Sequence, residues 1–143
     1  MRLDELLLLF IDSCRLEDGP VDEAALLRLV ELTRFGPSLG SRQPLKYVLA
    51  WQPAQIDTIA RHLVQASTPA RWTCPTQGGG PVAYIVILGD RRISVLWDWD
   101  CRVAAQTILL GATIGGLDGY VIQSLDRATL RTALGLRDHL EIL

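Results

Sequence analysis

The densest polar chemistry in the chain lies between residues 38 and 43, where Ser38, Ser41, Arg42 and Gln43 bring hydroxyl, guanidinium and carboxamide groups together. Such groups exchange hydrogen bonds without having to titrate, so the chemistry they suit is the gripping of a polar ligand. Their neighbours constrain them. Gly36 and Gly40 open backbone conformations closed to other residues, while Pro37 and Pro44 fix their own φ angles and each remove a donor. Acid–base catalysis has less to work with, because the chain holds 2 His and no pair of carboxylates placed for a cleft.

The whole stretch 34–48 is a loop joining a helix to a strand. Residues 21–34 place Leu26, Leu27, Leu29, Val30 and Leu32 at helical spacing, with Asp22 and Glu23 in the first turn, where negative charge suits exposed N–H groups. Residues 45–51, aromatic and β-branched, read as a strand. Upstream, Leu3, Leu6, Leu7, Phe10 and Cys14 share one face of a helix over 3–14, and 16–20 is a turn. Downstream, Pro53 starts a third helix with a buried stripe of Ile56, Ile59, Ala60, Leu63 and Val64. His62 lies beside that stripe with no second ligand at metal spacing, so it is read as a surface or capping histidine. Residues 66–80, rich in Thr, Pro and Gly, are expected to form a mobile surface excursion. Within it Trp72 either pins the loop to the core or covers a pocket, and Gly78-Gly79-Gly80 lacks the Lys and Ser/Thr of a phosphate-binding P-loop.

A near-continuous apolar run over 81–88 predicts a strand covered on both faces, hence the centre of the sheet. A turn follows over 89–92, and residues 97–100 lead into a long helix through 114. Along it Val103, Ala104, Thr107, Ile108, Gly111, Ala112 and Gly115 make a face of small residues that permits close approach to the sheet or to a symmetry mate. Gly115-Gly116-Leu117-Asp118-Gly119 then suits either a glycine-rich helix terminus or close approach of a ligand. A further strand is expected over 120–123 and a last helix over 126–134, capped by Asp126, stapled by Leu125 and Leu130 and closed by Gly135. An apolar segment begins again at 140–143.

Composition bounds the function. A length of 143 residues suits one domain, and a net charge of -2 with scattered Arg residues leaves no footprint for nucleic acid. Cys14, Cys74 and Cys101 form neither a disulfide framework nor a zinc pattern, which fits reduced thiols in the cytoplasm. The apolar run over 6–11 is too short to span a membrane. A hydrophobic fraction of 49% suggests that a partner subunit covers apolar surface.

The loop resembles that of the FMN-dependent nitroreductases, whose helix-to-strand connection reads Pro-Ser-x-x-Asn-x-Gln-Pro-Trp. Pro37, Ser38, Gln43 and Pro44 match in register, while Ser41 replaces the Asn and Leu45 the Trp. A second resemblance lies in the long helix, where Asp100, Ala104, Gln106, Leu110 and Ala112 match the family's Asp-x-x-x-Ala-x-Gln-x-x-x-Leu-x-Ala pattern before the glycine loop. The resemblance, covering about residues 13–140, implies an α/β fold of the α+β three-layer kind, with a central mixed sheet flanked by helices. It also implies a homodimer with FMN at the subunit interface. Pro37, Ser38, Ser41, Arg42 and Gln43 would then hold the polar edge of the ring, and Gly115, Gly116 and Leu117 would back it. Ser13 and Arg15 would be what remains of a phosphate-binding Arg-Ser-x-Arg run, although a solvated Arg after a helix accounts for Arg15 as well. Asp12 replaces the first Arg of that run, and the family's basic C-terminal tail is expected to be absent. Two lost charge-assisted bonds of roughly 1.5–3 kcal/mol each would weaken FMN binding by about two to four orders of magnitude.

The implied function is hydride transfer from NAD(P)H through the flavin to a nitro, quinone or similar acceptor, with no side chain acting as acid or base and no metal. The alternative is a shortened, non-catalytic relative that keeps the fold and dimer and binds a nucleotide or flavin-related ligand. A chain that has lost its C-terminal strand would show the same sequence.

Overall fold

The computed structural model of the protein describes residues 2, 4, 5, 21–63 and 81–143. The expected helix over 3–14 apart from residues 4 and 5, which are helical, Ser13 and Arg15, the excursion over 66–80 with Trp72, and Cys14 and Cys74 therefore lie outside the described residues.

Helix α1 (Glu23–Leu32) starts where Asp22 accepts a hydrogen bond from the Ala25 N–H at 2.8 Å, and buries Leu26 and Leu29. Single 3-10 turns at Thr33–Phe35 and Leu39–Ser41 carry the loop into strand β1 (Leu45–Ala50). Helix α2 (Pro53–Ala60) opens with Pro at its first position and with the Gln55 side-chain oxygen accepting the Gln52 N–H at 3.2 Å, then buries Ile59. Strand β2 (Tyr84–Asp90) is followed by helix α3 (Asp98–Ile114), helix α4 (Arg127–Ala133) and strand β3 (Leu140–Ile142).

The three strands pair antiparallel in the order β1-β2-β3. Leu45 faces Gly89 and Ala50 faces Tyr84 in one ladder, and Leu88 faces Ile142 in the other. Strand β2 is thus the centre of the sheet, as its apolar run predicts. Both its faces are covered, because alternate residues point to opposite sides. Ala50, Val86, Leu88 and Ile142 pack with Ile59 of α2 and Leu130 of α4. Tyr47, Ile85 and Ile87 pack with Leu29 of α1 and with Ile108 and Ala112 of α3. The result is an α+β fold of three layers.

Three expectations are corrected. The sheet of the described residues is antiparallel throughout, where a mixed sheet was expected. Residues 89 and 90 continue β2, because the Asp90 N–H donates to the Pro44 carbonyl at 2.8 Å and Gly89 stays in register with Leu45. Residues 120–123 form no strand; Tyr120 and Val121 are exposed, and the bridge nearby joins Leu63 to Leu125. Among the described residues no strand pairs with them. No helix among the described residues is long and apolar enough to cross a membrane.

Candidate functional site

The loop after α1 is held in an unusual backbone state. Gly40, Ser41 and Gln43 have φ of 62°, 54° and 47°, and for the two residues with side chains the left-handed region costs about 1–2 kcal/mol each. Gln43 is doubly constrained, since a residue before proline prefers extended backbone, and Pro44 here is buried. Strain of this kind persists where the surroundings over-determine it.

The surroundings are supplied by α3. Asp100, 4% exposed, accepts the Ser38 hydroxyl proton at 2.5 Å through Oδ2 and the Leu39 N–H at 3.0 Å through Oδ1. The Ser38 oxygen in turn accepts the Gln43 N–H at 2.9 Å. Ser38 is thus engaged within the loop, and one lone pair of its oxygen is left for any other partner. Gly36 lets the loop lie against α3, since a Cβ there would stand 3.0 Å from Val103. Ser41, Arg42 and Gln43 are exposed, as is Pro37.

Behind the loop lies a cavity of about 180 Å³, bordered by Thr33, Arg34, Ser38, Lys46, Tyr47 and Asp100 among others. The Tyr47 hydroxyl donates to Thr33 Oγ1 at 3.0 Å, and that hydroxyl donates to the Val30 carbonyl at 2.6 Å. Burial raises the Tyr47 phenol above its usual range, with the nearby Cys101 and Asp100 adding to the rise, so it remains protonated at neutral pH. Burial likewise raises the Cys101 thiol, which stays protonated at neutral pH.

The second predicted cluster lies at the other end of α3. Gly115 caps the helix and Gly116 turns left-handed at φ 73°. The Gly116 N–H donates to the Thr113 carbonyl at 3.1 Å and the Leu117 N–H to the Ala112 carbonyl at 2.9 Å, a Schellman ending. Leu117 packs into the apolar layer beneath α1 and α3. Gly116 has open space where a Cβ would be. From Asp100 to Gly115 the helix rises roughly 22 Å at about 1.5 Å per residue, so the two clusters sit at opposite ends of one rod.

Sequence reasoning placed Asp100 in a motif without giving it a task. The signal available was an acidic residue in the first turn of a helix otherwise built on small and apolar residues. The Tyr47–Thr33 bond had no signal, because the partners are 14 residues apart on different elements. His62 is confirmed as a capping residue, with its Nδ1 2.7 Å from the Thr58 carbonyl and its own carbonyl accepting the Asp126 N–H. No group of three or more His, Cys, Asp or Glu among the described residues could hold a metal ion.

Known proteins share this fold. The family model described as "Nitroreductase family" matches residues 13–143. A protein of Burkholderia lata named as an NADH dehydrogenase/NAD(P)H nitroreductase is 39% identical over 51 residues, 36% of this chain and 26% of its own length, so the match spans about a quarter of that relative. The crystal structure of a nitroreductase family protein from Clostridium novyi superposes with a TM-score of 0.79 at 18% identity, covering 100% of this chain and 82% of that one. A nitroreductase from Desulfovibrio desulfuricans, solved in complex with FMN, gives a TM-score of 0.75 at 21% identity, covering 96% and 80%. The fold and the match along residues 13–143 lead to one conclusion: the chain belongs to the nitroreductase family.

Proposed function

We propose that the protein is an FMN-dependent oxidoreductase that works as a homodimer in the cytoplasm and moves hydride from NAD(P)H to a nitro, quinone or similar acceptor. The observation that carries this reading is the loop 37–43, a family motif held in a strained conformation that leaves Ser41, Arg42 and Gln43 facing solvent. When bound, FMN supplies the hydride chemistry at its ring, and the protein supplies binding and orientation.

The donor set suits a flavin. Arg42 offers a planar guanidinium, Ser41 a hydroxyl and Gln43 a carboxamide, matching a ring edge that both accepts and donates hydrogen bonds. Pro37 stiffens the entry to this surface. At the far end of α3, Gly115, Gly116 and Leu117 offer backbone approach unobstructed by side chains at Gly116. Separation of the two clusters by roughly 22 Å within one chain supports a site shared by two subunits, each contributing one end of α3. Exposed apolar groups at the loop end of α3, including Phe35 (81%), Leu96 (62%) and Trp99 (60%), support burial against a second copy. Ser13 and Arg15 belong to this reading as phosphate contacts.

The non-catalytic alternative draws support from the Schellman ending, which accounts for Gly116 with no ligand. The two readings part on the visible absorption spectrum of purified protein, before and after adding FMN and removing the excess. Yellow protein with one flavin per subunit that bleaches on adding NADH or NADPH is the expected result. Colourless protein that takes up no FMN at millimolar excess sinks the oxidoreductase reading.

A further inference from the structure

We infer that Asp100 is a positioning residue, which works through Ser38 to set the conformation of the loop residues that present Ser41, Arg42 and Gln43 to the ligand. What the loop holds rests on the function proposed above; the positioning itself rests on the contacts.

Both ends of the loop are tied elsewhere. Gly36 lies on Val103 and Thr107 of α3, and the Pro44 carbonyl is bound by the Asp90 N–H of β2. Between these ties the backbone takes two left-handed turns at non-glycine residues, at Ser41 and Gln43. Within the loop, the Ser41 N–H bond to the Ser38 carbonyl closes only a local turn. The chain that reaches out of the loop runs Gln43 N–H to Ser38 Oγ, Ser38 O–H to Asp100 Oδ2, and Leu39 N–H to Asp100 Oδ1. It joins residues at both sides of the strained segment to one buried carboxylate on a rigid 17-residue helix.

The chemistry also selects a carboxylate. Leu39 and Ser38 both donate to residue 100, so two acceptors are required there. An amide keeps one acceptor oxygen and puts an NH2 that can only donate in place of the other. With Asn at position 100, Ser38 Oγ would face donors from both Gln43 and Asn, and its own proton would lose its acceptor. The isosteric change therefore loosens the chain while filling the same volume.

The test uses the full-length protein and the variants Asp100→Asn, Asp100→Ala, Ser38→Ala and the double variant Ser38→Ala with Asp100→Ala. Amide hydrogen exchange is measured without ligand, and FMN affinity by fluorescence titration. The expected result is exchange at Gln43 and Leu39 at least tenfold faster in Asp100→Asn, with the Val86 amide in β2 unchanged. The FMN Kd is expected to rise tenfold or more. The double variant is expected to bind no more weakly than the worse single one, because the two residues act as one chain. Unchanged Gln43 exchange in Asp100→Asn, or additive losses in the double variant, would overturn the inference. If Asp100→Ala does not fold, Asp100→Asn and Ser38→Ala decide alone. If the wild-type protein binds no FMN, the flavin reading has failed, and Gln43 exchange still decides the role of Asp100.

Discussion

The carboxylate of Asp90 accepts three hydrogen bonds from Arg92, from the backbone N–H at 3.0 Å, Nε at 3.1 Å and Nη2 at 2.9 Å, while 1% exposed. These bonds, the Arg92 side chain first, hold its pKa down at about 2. A folded pKa below the unfolded one, near 3.9, means stability fully present above about pH 4 and lost as pH falls toward 2. Asp90→Asn is therefore expected to be less stable than wild type at pH 7 and to lose less further stability between pH 4 and 2, as read from urea midpoints along a pH series. None of this was legible from Gly89-Asp90-Arg91-Arg92, which carries the composition of a turn. The strand runs on through Asp90 because its N–H finds the Pro44 carbonyl across the sheet, and a long-range partner leaves no local mark. Asp100 was half legible for the same reason. Its place in a motif could be read, whereas its bonds to a loop 61 and 62 residues away could not.

At the scale of elements, the small-residue face of α3 finds its partner within the chain. A Cβ at Gly111 would stand 2.5 Å from Leu32 Cδ1 and 3.2 Å from Leu29 Cδ2, so α1 rides directly on the α3 backbone. Leu32 is 39% exposed and its methyl can swing aside. Gly111→Ala should then fall within about 1 kcal/mol of wild type, the clash offset by better helix propensity. Gly111→Phe should cost about 1–3 kcal/mol by overpacking the α1–α3 seam, visible as a lowered Tm. Helices α1, α3 and α4 were legible because their ends carry local chemistry. Asp126 accepts the Thr129 N–H at 3.2 Å, and Gly135 turns left-handed at φ 60° to close α4. The strand expected at 120–123 and not formed shows the converse, since β-branched side chains announce a fit to a pleated surface and carry no record of which strand would lie beside them.

At the scale of the molecule, the proposed shared site makes an assembly prediction. Arg42→Ala damages one end of each site and Gly116→Val the other, so a homodimer of either variant has two defective sites. After denaturation and joint refolding at equal amounts, half the dimers are mixed and each has one intact site, so about a quarter of all sites should bind FMN with wild-type affinity. Failure to recover any would place both clusters' partners within one subunit. The layered fold was legible because hydrophobic period and cap chemistry are local; the candidate site was legible only as two separate motifs, which lie at opposite ends of one helix. The packing of Trp97 on Gly89 adds an optical consequence. A Cβ at position 89 would stand 2.5 Å from the Trp97 ring, so the indole lies flat on bare backbone, 7% exposed, while Trp99 is 60% exposed. The two indoles therefore emit from dry and wet surroundings on either side of Asp98, immediately before the carboxylate that anchors the loop. With Trp51 and Trp72 replaced by Phe, emission is expected to be blue-shifted from Trp97 and red-shifted from Trp99, one reporter on each side of that anchor.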